Sequence, residues 1–204
     1  LCDMIGDYAG LIVRSATKVT KRVIEAGNNL KAIGRAGAGV DNIDLEAATA
    51  RGIVVMNAPG GNTISTAEHA MAMMMSLSRN IPQATASMKA GEWERKKYTG
   101  VELDGKTLGI VGVAGRVGQQ VARRARAFGM RILGADPFLS DDLARQLHVK
   151  PVSYDEMFAE ADYITLHTVL TDQTHHLISR DALSKCKDGL RIINCARGEL
   201  VDEG

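Results

Sequence analysis

The stretch TLGIVGVAGRVGQQVARRARAFGMRILGADP, residues 107–137, limits what this chain can fold into more than any other part of it. Leu108–Val113 is an almost unbroken apolar run, as expected of a parallel strand covered by helices on both faces. It runs into Gly112, Gly115 and Gly118. From Val117 onward, Val121, Ala125 and Phe128 recur at helical spacing while Arg123, Arg124 and Arg126 point elsewhere. Gly129 is placed to end that helix, Arg131–Ala135 reads as a second strand, and Asp136 stands at its carboxyl end before Pro137. Strand, glycine turn, helix, strand and terminal acid in this order make a dinucleotide-binding unit. The glycines let the backbone approach a pyrophosphate, the helix start supplies N–H donors and partial positive charge, and the carboxylate accepts from ribose hydroxyls. An acid at this place favours NAD over NADP, because it repels a 2′-phosphate. The plainer alternative is that the glycines only permit tight strand–helix packing.

The glycine spacing has one residue more than the usual G-x-G-x-x-G. Either the turn carries an extra residue, or Val113 takes the first glycine's place and the strand is one residue longer.

With 204 residues the chain can bury one good core or two small ones. A formal net charge of +1 gives no electrostatic case for nucleic acid or an anionic membrane, so an acidic substrate must be held by a few placed arginines. Cys2, Cys186 and Cys195 are odd in number and widely spaced, against a disulfide framework and against a zinc site; no metal site is expected. No apolar run is long enough to span a bilayer and no signal peptide is visible, which points to a cytoplasmic protein.

Elsewhere strands and helices alternate at the pace of a parallel sheet. Strands are expected at Gly10–Val13, Lys31–Arg35 and Ile53–Met56, with helices after Thr20 and Asp44. Asn57–Asn62 reads as a hinge, dividing a partial first domain (1–58) from a second (59–204). Ser65 and Glu68 form a capping box before a helix whose stripe is Ala70, Met71, Met74 and Leu77, expected to be buried between domains. Pro82 opens a further helix, and the loop Glu92–Gly100 holds Trp93 and Arg95 among charges. Ser140, Ser153 and Ser179 cap later helices. Strands at Tyr163–His167 and Leu190–Ala196 deliver Thr168 and the Cys195–Arg197 segment to the same crevice as the glycine turn. The fold class expected is α/β, a Rossmann-like doubly wound parallel sheet joined to part of a second, flavodoxin-like α/β domain.

VRSAT at 13–17, GRAGAGVDN at 34–42, NAPGGNTISTAEH at 57–69, WERKKYTG at 93–100 and INCARGELVDEG at 193–204 resemble the D-isomer-specific 2-hydroxyacid dehydrogenases, over essentially the whole chain. VRSATKVT and WERKKYTG point more narrowly to members acting on a phosphorylated hydroxy acid. The resemblance implies NAD as cofactor and oxidation of 3-phosphoglycerate to 3-phosphohydroxypyruvate, the entry to serine biosynthesis, in a homodimer or homotetramer. Arg197 matches the family's catalytic arginine, which can grip a carboxylate bidentately and polarise the forming carbonyl. Arg14, Ser15 and Arg35 match substrate-binding positions, the amides of Gly37, Ala38 and Gly39 a carboxylate cradle, and Arg95 a reach towards phosphate across a dimer. Gly112, Gly115, Arg116, Val117, Gly118, Asp136, Pro137, His167, Thr168, Thr174, Cys195, Ala196 and Arg197 match cofactor contacts.

Departures from the family are the longer glycine turn, Val169 in place of a proline, and the absence of an opening βα unit and of the family's catalytic acid and histidine motifs. His175-His176 reads as solvated, not as a substitute base. The chain by itself is therefore expected to bind cofactor weakly and turn over negligibly. Other readings are a glyoxylate or hydroxypyruvate reductase and, from a different class, a non-catalytic NAD-binding sensor or scaffold.

Overall fold

Two parallel sheets account for the architecture, described for residues 1–204 in a computed structural model. The chain divides into two compact units, Leu1–Thr63 and Ile64–Gly204. The first runs α1 (Cys2–Ile5), β1 (Gly10–Val13), α2 (Lys21–Ala26), β2 (Ala32–Arg35), α3 (Leu45–Ala50) and β3 (Val54–Asn57), its strands parallel in the order β1-β2-β3. The helices bury one face: Val13 and Ile33 of the strands meet Ile5, Val23, Ile24 and Ala48 of the helices. The alternate residues Ile12, Val54 and Met56 point the other way and are 82%, 57% and 54% exposed. Asp44 caps α3 through the N–H of Ala47, whereas the Thr20 side chain makes no cap bond to α2.

The second unit opens with α4 (Thr63–Ser78) and α5 (Ile81–Lys89) and continues through β4 (Thr107–Val111), α6 (Arg116–Ala127), β5 (Arg131–Ala135), α7 (Asp141–Leu147), β6 (Lys150–Pro151), α8 (Tyr154–Glu160), β7 (Tyr163–Leu166), α9 (Arg180–Ser184) and β8 (Arg191–Asn194). All strands are parallel in the order β6-β5-β4-β7-β8. This is the doubly wound order, with its reversal between β4 and β7, where such sheets open a crevice at their carboxyl ends. Side-chain alternation feeds both faces. Leu108, Ile110, Ile132 and Tyr163 pack with α4, α6 and α7, while Leu133, Ile164 and Leu166 pack with α8 and α9. Gly109 leaves the room that Met157 fills, since a Cβ there would stand 2.7 Å from its Sδ.

Several local expectations are corrected. The long helix begins at Thr63, so Ser65 lies inside its first turn and not at the N-cap position that a Ser65–Glu68 capping box requires. Gly61 N–H to Ala58 O and Thr63 N–H to Gly60 O already turn the chain into the helix, and Glu68 faces Arg124 at 3.6 Å. Its buried stripe is Ala67, Ala70, Met71, Met74 and Ser78, with Leu77 exposed on the other side. Ser78 belongs to the buried set because its hydroxyl is satisfied by Met74 O and the Tyr163 hydroxyl, at 2.7 and 2.8 Å. The apolar runs 108–113, 163–167 and 190–196 form strands that end at Val111, Leu166 and Asn194. Strand β6 is absent from the sequence reading altogether: it is two residues long and contains a proline, tolerated because it lies at the sheet edge.

Candidate nucleotide-binding site

Strand β4 stops at Val111, and Gly112 turns the chain with φ +80°, so the turn to α6 carries the additional residue and the strand is not extended. Val113 is fully buried in the core and Gly115 donates its N–H to Gly112 O at 3.2 Å. Each fingerprint glycine has a steric reason. A Cβ on Gly112 would stand 2.6 Å from His167 O, and one on Gly118 only 2.3 Å from Gly112 O, so the helix packs on the turn only without side chains there. Gly115 is the N-cap of α6 and offers no side chain to its first turn. The amides of that turn thus remain available to an anion, with the helix dipole adding to them.

Beyond the carboxyl ends of β4, β5 and β7 lies a cavity of about 780 Å³, within the usual size of a cofactor site. Gly112, Gly115, Asp136, Pro137, His167, Thr168 and Thr174 all line it. Asp136 is held from two sides: one oxygen accepts from Ala114 N–H at 2.8 Å and the other from Phe138 N–H at 2.9 Å. His167 bonds the Thr165 hydroxyl at 2.9 Å, and burial pushes its pKa down to about 4, so its ring is neutral at physiological pH. Thr174 is a loop fastener: its hydroxyl accepts from Thr171 N–H and donates to Val169 O, both at 2.8 Å.

Arg116, Val117 and Gly118 form the first turn of α6. Cys195, Ala196 and Arg197 follow β8, whose Asn194 is in register with Leu166, and they do not line the cavity. The Asn194 side chain folds this segment, accepting from Ala196 N–H at 3.0 Å and donating to Arg197 O at 2.7 Å, while the Arg197 guanidinium donates to Ala196 O at 3.0 Å. Burial raises the Cys195 thiol pKa.

Sequence reasoning missed the cavity's apolar wall, Phe138, Val152, Tyr154 and Val169. Phe138 is 85% exposed directly after Asp136-Pro137, a large apolar side chain left in solvent beside a strand-end acid. Tyr154 stacks with Phe158, centroids 6.3 Å apart; burial, and secondarily the charge of Asp136, raises its pKa.

The first unit gathers Arg14, Ser15, Arg35 and Gly37–Gly39 at the carboxyl ends of β1 and β2, by means of asparagines. Asn42 donates to Arg14 O and Thr17 O at 3.0 and 2.7 Å and faces Arg35 Nε at 3.4 Å. Asn57 donates to Ala38 O at 2.7 Å, and Ala58 N–H to Gly37 O at 3.0 Å. Gly37 N–H is spent on Arg35 O, and the Arg35 guanidinium fills the space a Gly37 side chain would need. Arg14 and Ser15 are exposed, and Arg35 is braced against its own loop through Ala36 O. Arg95 lies in the exposed loop after α5, where Thr99 bonds its carbonyl.

This geometry has known relatives. Residues 71–204 match the family described as D-isomer specific 2-hydroxyacid dehydrogenase, NAD binding domain, and the chain belongs to that family. Among curated proteins it is 56% identical over 196 residues to the D-3-phosphoglycerate dehydrogenase of Archaeoglobus fulgidus and 54% identical over 198 residues to that of Homo sapiens, covering 96% and 97% of this chain. In each case the match spans 37% of the relative's length. Among solved structures, D-lactate dehydrogenase from Aquifex aeolicus complexed with NAD and lactic acid superposes with a TM-score of 0.89 at 32% identity, over 99% of this chain and 60% of that one. The glycine turn, the cavity and Asp136 fit a bound NAD. No helix is long and apolar enough to cross a membrane.

Proposed function

We propose that this chain is the cofactor-holding part of an NAD-dependent dehydrogenase that oxidises 3-phosphoglycerate to 3-phosphohydroxypyruvate, the first step towards serine. The observation that carries the reading is the cavity at the β4/β7 reversal, with the Gly112–Gly115 turn on one side and a fixed carboxylate, Asp136, on the other. Asp136 would take the adenosine ribose, the first turn of α6 the diphosphate, and Phe138, Val152 and Tyr154 the adenine. The neutral His167 can approach a negatively charged cofactor without itself being desolvated as a cation. When bound, NAD supplies the hydride acceptor.

In this reading Arg197, held by Asn194, is the second unit's grip for a carboxylate, Arg14, Ser15, Arg35 and the amides of Ala38 and Gly39 are the anion contacts of the first unit, and Arg95 reaches a phosphate on a partner subunit. Exposed Ile64, Met73, Leu77, Ile81 and Met88 on α4 and α5 support assembly into a homo-oligomer. Three unpaired cysteines fit a cytosolic compartment. Calorimetric titration of NAD and NADP into the chain tests the cofactor: NAD should bind, and tighter than NADP. In the full-length protein, turnover of 3-phosphoglycerate well above that of unphosphorylated glycerate or lactate is expected. Equal turnover would move the assignment to a glyoxylate or hydroxypyruvate reductase.

A further inference from the structure

The extra residue in the glycine turn brings one more peptide N–H and C=O into a place where neither strand nor helix can satisfy them. At Ala114 both are taken by side chains from opposite directions. Its N–H donates to Asp136 Oδ2 at 2.8 Å, and its C=O accepts from Gln119 Nε2 at 2.8 Å. The two clamping residues come from different elements, Asp136 from the end of β5 and Gln119 from the second turn of α6. Each is itself fixed. Asp136 also accepts from Phe138 N–H at 2.9 Å, and Gln119 N–H bonds Gly115 O at 3.0 Å. Beside them Val113 is sunk in the core, where its Cγ1 stands 2.7 Å from the place a Cβ on Gly134 would take.

Resting on the reading of this site as a nucleotide cavity, we propose that Gln119 is a positioning residue for diphosphate recognition, and that Asp136 has the same duty beside its ribose contact. The Ala114 and Gly115 amides are spent inside the turn, so diphosphate must be received by the start of α6. The distance between that start and Asp136 is set by the clamped peptide. Ribose acceptor and diphosphate cradle are thereby one mechanical piece, and an exchange at Asp136 made to admit NADP would loosen the diphosphate contacts as well.

The test is a calorimetric series on the whole chain with adenosine, ADP and NAD. Gln119→Ala should weaken ADP and NAD about tenfold, the effect of losing one half-buried hydrogen bond, while leaving adenosine affinity unchanged. Gln119→Lys, which keeps a donor, should restore most of the loss. Deleting Ala114 should abolish the effect of Gln119→Ala. Hydrogen exchange of the Ala114 amide provides a measurement on the unaltered chain, in which it should be slow and should quicken in Gln119→Ala. Equal weakening of adenosine and ADP, no weakening of ADP, or a fast-exchanging Ala114 amide in the unaltered chain would each overturn the positioning role. If the unaltered chain bound ADP no better than adenosine, the site assignment itself would fail instead.

Discussion

The sheet of the second unit is packed on both faces, by α4, α6 and α7 on one and α8 and α9 on the other, whereas the sheet of the first has helices on one face and Ile12, Val54 and Met56 in solvent on the other. Parallel strands normally need cover on both sides. With only one covered, each exposed side chain forgoes at most about 1.5–3 kcal/mol of burial. The way ligand groups are held follows the same division. In the second unit buried strands fix a glycine turn and a helix start, so main-chain groups can face a ligand. In the first, side-chain amides of Asn42 and Asn57 tie the loops together and the exposed groups are arginine and serine.

The contrast can be broken first at its glycines. Gly118→Val drives a Cβ into backbone at 2.3 Å and should cost about 2–4 kcal/mol in urea unfolding. NAD affinity should fall by about two orders of magnitude in calorimetry, the cost of displacing the helix start. Gly34→Ala in the first unit meets Ile12 Cγ1 at 3.5 Å and Leu11 O at 4.0 Å, both ordinary van der Waals contacts, and should stay within about 0.5 kcal/mol of the parent.

A smaller effect separates the units by pH. The first unit contains no histidine, while His167 of the second is held neutral with its pKa pushed down to about 4. Since the unfolded chain takes up the proton near pH 6.5, His167 favours the native state fully above that pH. That contribution is lost as pH falls towards 4, because the unfolded state binds more protons. Between pH 8 and pH 5 the loss should be about 2 kcal/mol, seen as the part of the urea-unfolding pH dependence that His167→Gln removes. An unchanged pH dependence in that variant would show that the ring is solvated.

Below that stands the stitching itself. Asn42→Ala frees two carbonyls and should cost about 1–2 kcal/mol, with faster amide exchange confined to the first unit around residues 14–20 and 35–44. The smallest contrast is at the helix starts. Ser153 makes a complete capping box with Glu156, and Ser153→Ala should cost about 1 kcal/mol, whereas Thr20→Ala should cost almost nothing because no cap bond exists to lose. Denaturant midpoints of the paired variants decide it.

Much of the second unit was legible because its strands are buried on both faces and read as continuous apolar runs, and because Gly112, Gly118 and Asp136 serve needs that few other residues can meet. What was not legible depends on contacts distant in sequence. Strand β6 exists only because Leu133 and Gly134 offer it partners. Leu77 continues the apolar spacing of α4, yet the buried place belongs to Ser78, whose hydroxyl finds Tyr163 eighty-five positions away. Tyr154 and Phe138 carry no motif; they become a cavity wall when β5 and α8 are brought side by side. Asn42 and Asn194 stood inside the segments that revealed the family, but their work is directed at main-chain carbonyls and amides, which leave no mark in a sequence.

Strand β6 also bears on self-association. Sheets with bare borders can polymerise, one molecule lending its outermost strand to the next. Here that border is two residues long and ends in Pro151, which lacks the hydrogen a newcomer would need, so this side of the sheet offers a poor template for growth. Within this sheet an intruding chain would have to begin at β8 instead.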